Sequence, residues 1–370
     1  MKKELISARQ FMILVSLFSV GSAILVVPAS QAFYAKQDAW MATILGTGMG
    51  LMFIWLYFKV GSAFPTLNLV QLSDKLLGKW IGRTISLLFI VIFFLSGPVS
   101  NVYYIGSFMT TQIMPETPTQ SINILFMIIA VMGVRLGLET IARSAEIIFP
   151  YFVVLFVFLT VFVAPQIKPG NILPILEGGI RPPLSAALYY VSISTLPIVV
   201  LLMIFPAHLN RPLQAGKAFM AGSLIGGVVL ITIVSLCIFV MGPDVTAGNT
   251  YPSYALASLI NVGDFLQRME VIVGVMWIIS LFFRMSLYFY VVVTALAHIF
   301  NLNDYRPLVL PLGIVMLALA PIEYPNSIAD QYATVAFWVQ FTLLAGGAYP
   351  LVLLVLAKIR KARGKEDAGQ

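Results

Sequence analysis

Charge is scarce in this sequence. Lys, Arg, Asp and Glu make up 10% of its 370 residues, against about 25% in ordinary soluble domains. Cysteine is scarcer still: the one present, Cys237, lies inside an apolar run, which excludes a disulfide framework, a Cys-based metal site and a redox pair. No Gly-rich phosphate loop, catalytic triad or paired carboxylate is visible, so enzyme, cofactor and metal-centre readings find no support. No polar stretch is long enough to hold a separate catalytic domain.

What fills the chain instead is apolar. Hydrophobic residues make up 60% and the mean hydropathy is +0.96, which places the chain in a bilayer as a multi-pass membrane protein. Windows of about 20 apolar residues predict ten spans, at 11–35, 39–60, 84–113, 120–137, 144–165, 185–205, 218–241, 270–300, 307–321 and 332–357. The net charge of +7 sets orientation and implies no nucleic-acid partner. Lys36, Lys168, Arg181 and Arg268 fall on one side, Arg284 lies inside a span, and the rest of the 22 Lys and Arg residues fall on the other side. Both termini are thus expected in the cytoplasm. Met1-Lys2-Lys3 and the apolar run behind them read as an uncleaved first helix.

Two spans carry breaks. The first is interrupted by Gly21-Ser22-Ala23 and again by Pro28, and the sixth carries Ser192-Ile193-Ser194-Thr195-Leu196-Pro197 in its centre. An unmet backbone group costs several kcal/mol in hydrocarbon, so a broken span must face something polar. A proline kink alone would be the plain account of either site. Breaks at the first helix of each five-helix half, however, are what an inverted repeat predicts, with halves at about 11–165 and 185–357. In that reading N–H groups around Gly21, Ser22 and Ala23 receive a ligand carboxylate. Carbonyls near Ser194, Thr195 and Leu196 accept from its ammonium group.

Several further features bear on a site. Span three contributes Ser96, Gly97 and Ser100, the two serines four apart on one face; each hydroxyl either lines a pocket or bonds the carbonyl a turn earlier. The stretch 65–80 reads as an amphipathic interfacial helix. The outer stretches 166–183 and 242–269, the second with a short helix near Tyr254, either cap a cavity or merely connect. Gly46 and Gly50, Gly133 and Gly137, and Gly222 and Gly226 have the spacing of close helix contacts. His208 and His298 read as solvated interface residues. Every carboxylate falls in a loop, a tail or near a span end, including Glu146. Arg284 lies about 14 residues inside its span, roughly 20 Å at 1.5 Å per residue, too deep to reach the interface. It must point into the bundle with Tyr288 one turn on, either clamping freed carbonyls or receiving a ligand anion.

The chain resembles the integral-membrane B subunit of the GerA-type spore germinant receptors, within the amino acid/polyamine/organocation transporter superfamily. The likeness is carried by Leu77-Gly78-Lys79-Trp80-Ile81-Gly82, Ile172-Leu173-Pro174-Ile175-Leu176-Glu177-Gly178-Gly179, Phe205-Pro206-Ala207-His208 and Trp277-Ile278-Ile279, in that order. It implies a ten-helix, all-α LeuT-like fold with a pocket between helices one, three, six and eight. It further implies a small germinant, often an amino acid, and a complex with an A subunit and a lipoprotein C subunit in the inner membrane of the spore. Two positions depart from the family pattern: Pro206-Ala207 stands where Pro-Glu is common, and Ser100-Asn101 where helix three often carries a carboxylate. With no carboxylate deep in a span, a ligand-gated receptor subunit is favoured over a proton-coupled permease. A sodium-coupled or uncoupled amino acid permease, and a scaffold with a vestigial pocket, stay open.

Overall fold

In the computed structural model the first turn is fixed by a reciprocal cap. Ser7 Oγ accepts from Gln10 N at 3.1 Å and Gln10 Oε1 accepts from Ser7 N at 2.9 Å, which starts α1 (Ala8–Val20). Gly21 stops it. There φ is +26°, a region closed to most side chains, and α2 (Ala23–Ala35) begins on the other side of the turn. Pro28, inside α2, has no N–H for the carbonyl of Ile24 four residues back. Ser253 supplies the missing donor from another part of the chain, its Oγ 2.8 Å from Ile24 O.

The structure describes residues 4–260, 268–325 and 337–366. Met1-Lys2-Lys3, the first residues of the expected tenth span (332–336), and the end of the tail beyond 366 lie outside them. After α3 (Ala39–Ala63), the interfacial helix α4 (Leu69–Leu77) is capped reciprocally by Asn68 and Gln71. It buries Leu69, Val70, Leu72 and Leu76 and keeps Lys75 outside, 4.3 Å from the Phe64 ring centroid, as an amphipathic surface helix should. Span three is one continuous run of α5 (Lys79–Phe94), a π-helical widening at Leu95–Val99 around Pro98, and α6 (Ser100–Phe108). Next come α7 (Thr119–Leu136), α8 (Leu138–Val163), α9 (Arg181–Tyr190), α10 (Pro212–Met241) and the short helices α11 (Pro243–Gly248) and α12 (Pro252–Ser258). The chain then runs through α13 (Glu270–Ile299), α14 (Arg306–Glu323), α15 (Val339–Thr342) and α16 (Tyr349–Glu366).

Nine helical runs among the described residues are long and apolar enough to cross a membrane. One of them, Ala23–Ala63, joins α2 to α3 through the turn at Lys36; dividing it there, and pairing α1 with α2, yields the ten expected spans. α1 sits in the middle of the bundle, packed on α10, α13 and α8. Glycine makes those approaches possible. A Cβ on Gly222 would meet Met12 O at 2.5 Å, and one on Gly226 would meet Ser19 Cβ at 2.6 Å.

Two expectations change and two are made specific. The pair Gly133 and Gly137 is no helix contact: Gly137, at φ +97°, ends α7 and leaves room for the Glu4 carboxylate. The sixth span is broken by a change of pitch, widening to a π turn at Val191–Thr195 and tightening to 3-10 turns over Leu196–Met203. His208 is no bare surface residue, since its Nδ1 lies 2.9 Å from Glu4 O. The stretch 166–183 is tied to its neighbours as a connector, Asn171 donating to Phe239 O at 3.1 Å and Gln37 to Pro174 O at 2.7 Å.

The backbone account of α2 predicts a rescue. Ser253→Ala is expected to destabilise the purified protein by about 1–3 kcal/mol, the cost of an orphaned buried carbonyl. Pro28→Ala added to it restores a donor for Ile24 O and recovers most of the loss in thermal unfolding. A double variant no more stable than Ser253→Ala would refute that assignment.

Candidate functional site

Arg284, on α13, is 4% exposed and reaches across to both broken spans. Its Nη2 donates to Ile193 O at 2.9 Å, the carbonyl that Pro197 leaves without its i+4 donor. Its Nη1 donates to Phe18 O at 3.3 Å, freed by the turn at Gly21. Two more carbonyls of the first break are met the same way. Ser194 Oγ donates to Ser19 O at 3.1 Å, and Ser280 Oγ donates to Gly21 O at 3.2 Å. Helices one, six and eight are thus fastened by side chains where their own ladders fail.

The guanidinium also lies over two aromatic faces, Phe18 at 5.2 Å and Tyr288 at 5.8 Å from Cζ to ring centroid. None of the ion pairs among the described residues includes it. Carbonyl dipoles and ring faces therefore carry a buried positive charge that no carboxylate neutralises, which leaves a positive potential around it.

That potential bears on a cavity of about 730 Å³ between helices one, three, six and eight. Ser22, Ile193, Arg284 and Tyr288 form its buried end, and it widens toward the exposed Thr111, Gln112 and Thr250. Below the buried end the bundle is closed by the clustered rings of Phe11, Phe205 and Phe219, with centroids 5.1–5.8 Å apart. Further still, the N-terminal segment straps that face. Glu4 accepts from Leu138 N at 2.6 Å and lies 3.7 Å from Arg306, while Ile6 N donates to His208 O at 2.9 Å. Burial, and then Glu4, raise the pKa of the Tyr305 hydroxyl beside them.

Polar groups without a partner gather on the cavity wall. Tyr288 is 1% exposed and Asn101 2%, yet the Tyr288 hydroxyl and Asn101 Nδ2 lack a partner meeting hydrogen-bond criteria among the described residues. The guanidinium lies beside the Tyr288 ring. Ser22 precedes the first turn of α2 and does not cap it, so N–H groups there keep the positive end of a helix dipole at the cavity.

Of the residues expected to form a site, Ser22, Ser96, Ser100, Arg284 and Tyr288 come together on this wall. Ser100 donates to Ser96 O at 2.9 Å and Gly97 O at 2.8 Å, so its hydroxyl meets the cavity as an acceptor only. Gly21, Ala23, Ser194, Thr195 and Leu196 stand behind the wall. The helix-six carbonyls are already used, Ile193 O by Arg284 and Leu196 O by Tyr57 at 3.2 Å. Sequence reasoning passed over Asn101 as a mere departure from the family pattern. It also passed over Glu323, an acid at the last residue of α14 that lines the wide part of the cavity with Oε2 unpaired. Only its position at a span end could be read from the chain.

The family model for spore germination proteins matches residues 5–358. The chain belongs to the spore germination protein family. Its relatives in Bacillus subtilis (strain 168) include spore germination protein KB, 29% identical over 100% of this chain and 99% of the relative. Another is spore germination protein YndE, 26% identical over 98% of each. Among solved structures, this family member is similar to Mhp1, a nucleobase-cation-symport-1 family transporter in a closed conformation with bromovinylhydantoin bound. The TM-score is 0.70 at 12% identity, covering 95% of this chain and 78% of that one. MhsT in complex with L-phenylalanine gives a TM-score of 0.64 at 13% identity, covering 97% and 99%. At such identities the likeness shows the fold alone, a LeuT-like helical membrane bundle with helices one and six broken.

The staples of the break can be weighed separately from binding. Ser194→Ala orphans Ser19 O and is expected to cost about 1–3 kcal/mol, whereas Ser100→Ala loses only bonds within its own helix and costs under about 0.5 kcal/mol. Gly21→Ala should be worst, because its Cβ would lie 2.2 Å from Arg284 Cδ at a positive φ. Thermal unfolding in detergent checks the order; equal effects of Ser194→Ala and Ser100→Ala would contradict it.

Proposed function

We propose that this chain is the germinant-binding membrane subunit of a spore germinant receptor. In this reading it takes a small carboxylate-bearing ligand, an amino acid, into the cavity above Arg284. One observation carries the reading: a buried, unneutralised guanidinium bounds a cavity whose neighbouring donors, Tyr288 and Asn101, have no partner. A ligand carboxylate meets those needs together, and hydrogen bonds to a charged group are the strong ones. The ammonium group of the same ligand is accepted by the hydroxyl oxygens of Ser96 and Ser100, and Glu323 favours entry of a cationic group at the mouth.

The basic-residue asymmetry supports cytoplasmic termini and a cavity open to the outside, and the resemblance to germinant receptor subunits supports the inner membrane of the spore. On that view the A and lipoprotein C subunits of the receptor are the partners that convert occupancy into germination. The permease reading survives in its uncoupled form. Its sodium-coupled form is disfavoured, because the freed carbonyls that would cage a cation, Phe18 O, Ser19 O, Gly21 O and Ile193 O, already accept from side chains.

Binding of labelled amino acids to purified protein, read beside uptake into proteoliposomes and germination of spores carrying each variant, tests these statements. Tyr288→Phe should weaken binding about tenfold, the worth of one charge-assisted bond of ~1.5 kcal/mol. Arg284→Lys, which keeps the charge and loses the fork, should weaken the response, and Arg284→Met should nearly abolish it. Replacing sodium with potassium should change nothing. A well-expressed Arg284→Met protein that answers the same amino acid at the same concentration would remove the guanidinium from the site.

Orientation is tested by thiol labelling, which Cys237 does not confuse because it is buried. An impermeant reagent outside intact cells should reach Asn249→Cys and leave Lys361→Cys unmodified. Labelling of Lys361→Cys would reverse the topology.

A further inference from the structure

A second concavity lies on the outer surface of the bundle, between α7 and α14, and shares no wall with the cavity above Arg284. It holds about 490 Å³ and is bounded by apolar side chains, among them Met127, Ile128, Val131, Leu310, Ile314 and Leu317. Gly313 makes its floor: a Cβ there would meet Val131 Cγ2 at 2.8 Å, so the two helices close against each other behind the groove and splay in front of it. The rim faces outward, with Ile128 58% and Ile314 59% exposed.

The groove has one polar residue, and it stands at one end. Arg135, in the last turn of α7, is exposed and belongs to none of the ion pairs among the described residues. Its carbonyl accepts from Arg306 Nε at 3.0 Å, which brings a second guanidinium to the same end. Arg306 is partly neutralised by Glu4 and Asp304, each at 3.7 Å. From Ile124 to Arg135 the groove follows α7 for about 16 Å at 1.5 Å per residue. One leaflet of a bilayer is about 15 Å deep, half of a ~30 Å hydrocarbon core.

An apolar trough one leaflet long, facing lipid and ending at an unpaired arginine, has the chemistry of a phospholipid and not of a soluble ligand. We infer that the groove between α7 and α14 is a binding site for an anionic phospholipid, one acyl chain lying along Met127, Val131 and Ile314 and the phosphate meeting Arg135. Burial of the chain supplies affinity and the arginine supplies headgroup selectivity. The occupant is a lipid and not a helix of another subunit because the only charge complementarity offered is for an anion at the membrane surface.

Native mass spectrometry of the purified full chain, titrated with phosphatidylglycerol or phosphatidylcholine of equal chain length, tests this. Phosphatidylglycerol should be retained in preference to phosphatidylcholine. Arg135→Gln should weaken phosphatidylglycerol about fivefold, the worth of one basic residue near a membrane surface, and leave phosphatidylcholine unchanged. Ile314→Trp, which fills the trough from its exposed rim, should weaken both lipids, and Arg143→Gln, an exposed arginine paired with Glu139, should change neither. Equal retention of the two lipids by the parent chain, or retention unaffected by both groove variants, would overturn the inference. So would a protein dimer that Ile314→Trp dissociates, since a second copy would then be the occupant.

Discussion

The structure depends on a shortage of backbone donors. Gly21 and Pro197 each interrupt a helix in the middle of a membrane bundle, and each leaves carbonyl oxygens with no water to turn to. The donors come from elsewhere: Arg284 for Phe18 O and Ile193 O, Ser194 for Ser19 O, Ser280 for Gly21 O. The two breaks are thereby pinned to each other and to α13. A purely apolar repair would have required straight helices, and straight helices would have left no cavity.

Arginine is suited to this junction by shape and by charge. Its fork reaches two carbonyls on different helices, and its planar face lies over Phe18 and Tyr288, which lowers the cost of holding the charge away from water. Some of that cost persists, since no carboxylate lies in ion-pair range among the described residues. A bound anion would offset it. The same group thus serves as a structural staple and as the main source of positive potential in the cavity, so the clamping and ligand-facing readings of Arg284 are compatible.

The fold also separates a closed end from an open one. The ring cluster of Phe11, Phe205 and Phe219 and the strap formed by Glu4 and Ile6 shut the bundle on the side of the N-terminus, while the cavity widens toward Thr111 and Thr250. Tertiary hydrogen bonds of one segment, Glu4 to Leu138 and Ile6 to His208, link the α7–α8 turn and the end of helix six on that closed side.

By itself the sequence determined the features that arise from one residue's chemistry. Scarce charge and long apolar runs require a membrane bundle; Gly21, Pro28 and Pro197 require breaks; an arginine so deep in a span requires an inward partner. Those deductions need no knowledge of neighbours, because the bilayer removes the alternatives. What only the tertiary structure decided is who meets whom. Ser253 serves Ile24 across 229 positions and Arg284 serves Phe18 across 266, and nothing local marks either pair. The spacing of Gly133 and Gly137 suggested a helix contact, yet Gly137 ends a helix, because a glycine four residues on serves either purpose until φ is known. Glu323 looked like one more acid at a span end. Its place on the cavity wall follows from how α14 packs beside helix three, a relation between distant segments that periodicity along one of them does not encode.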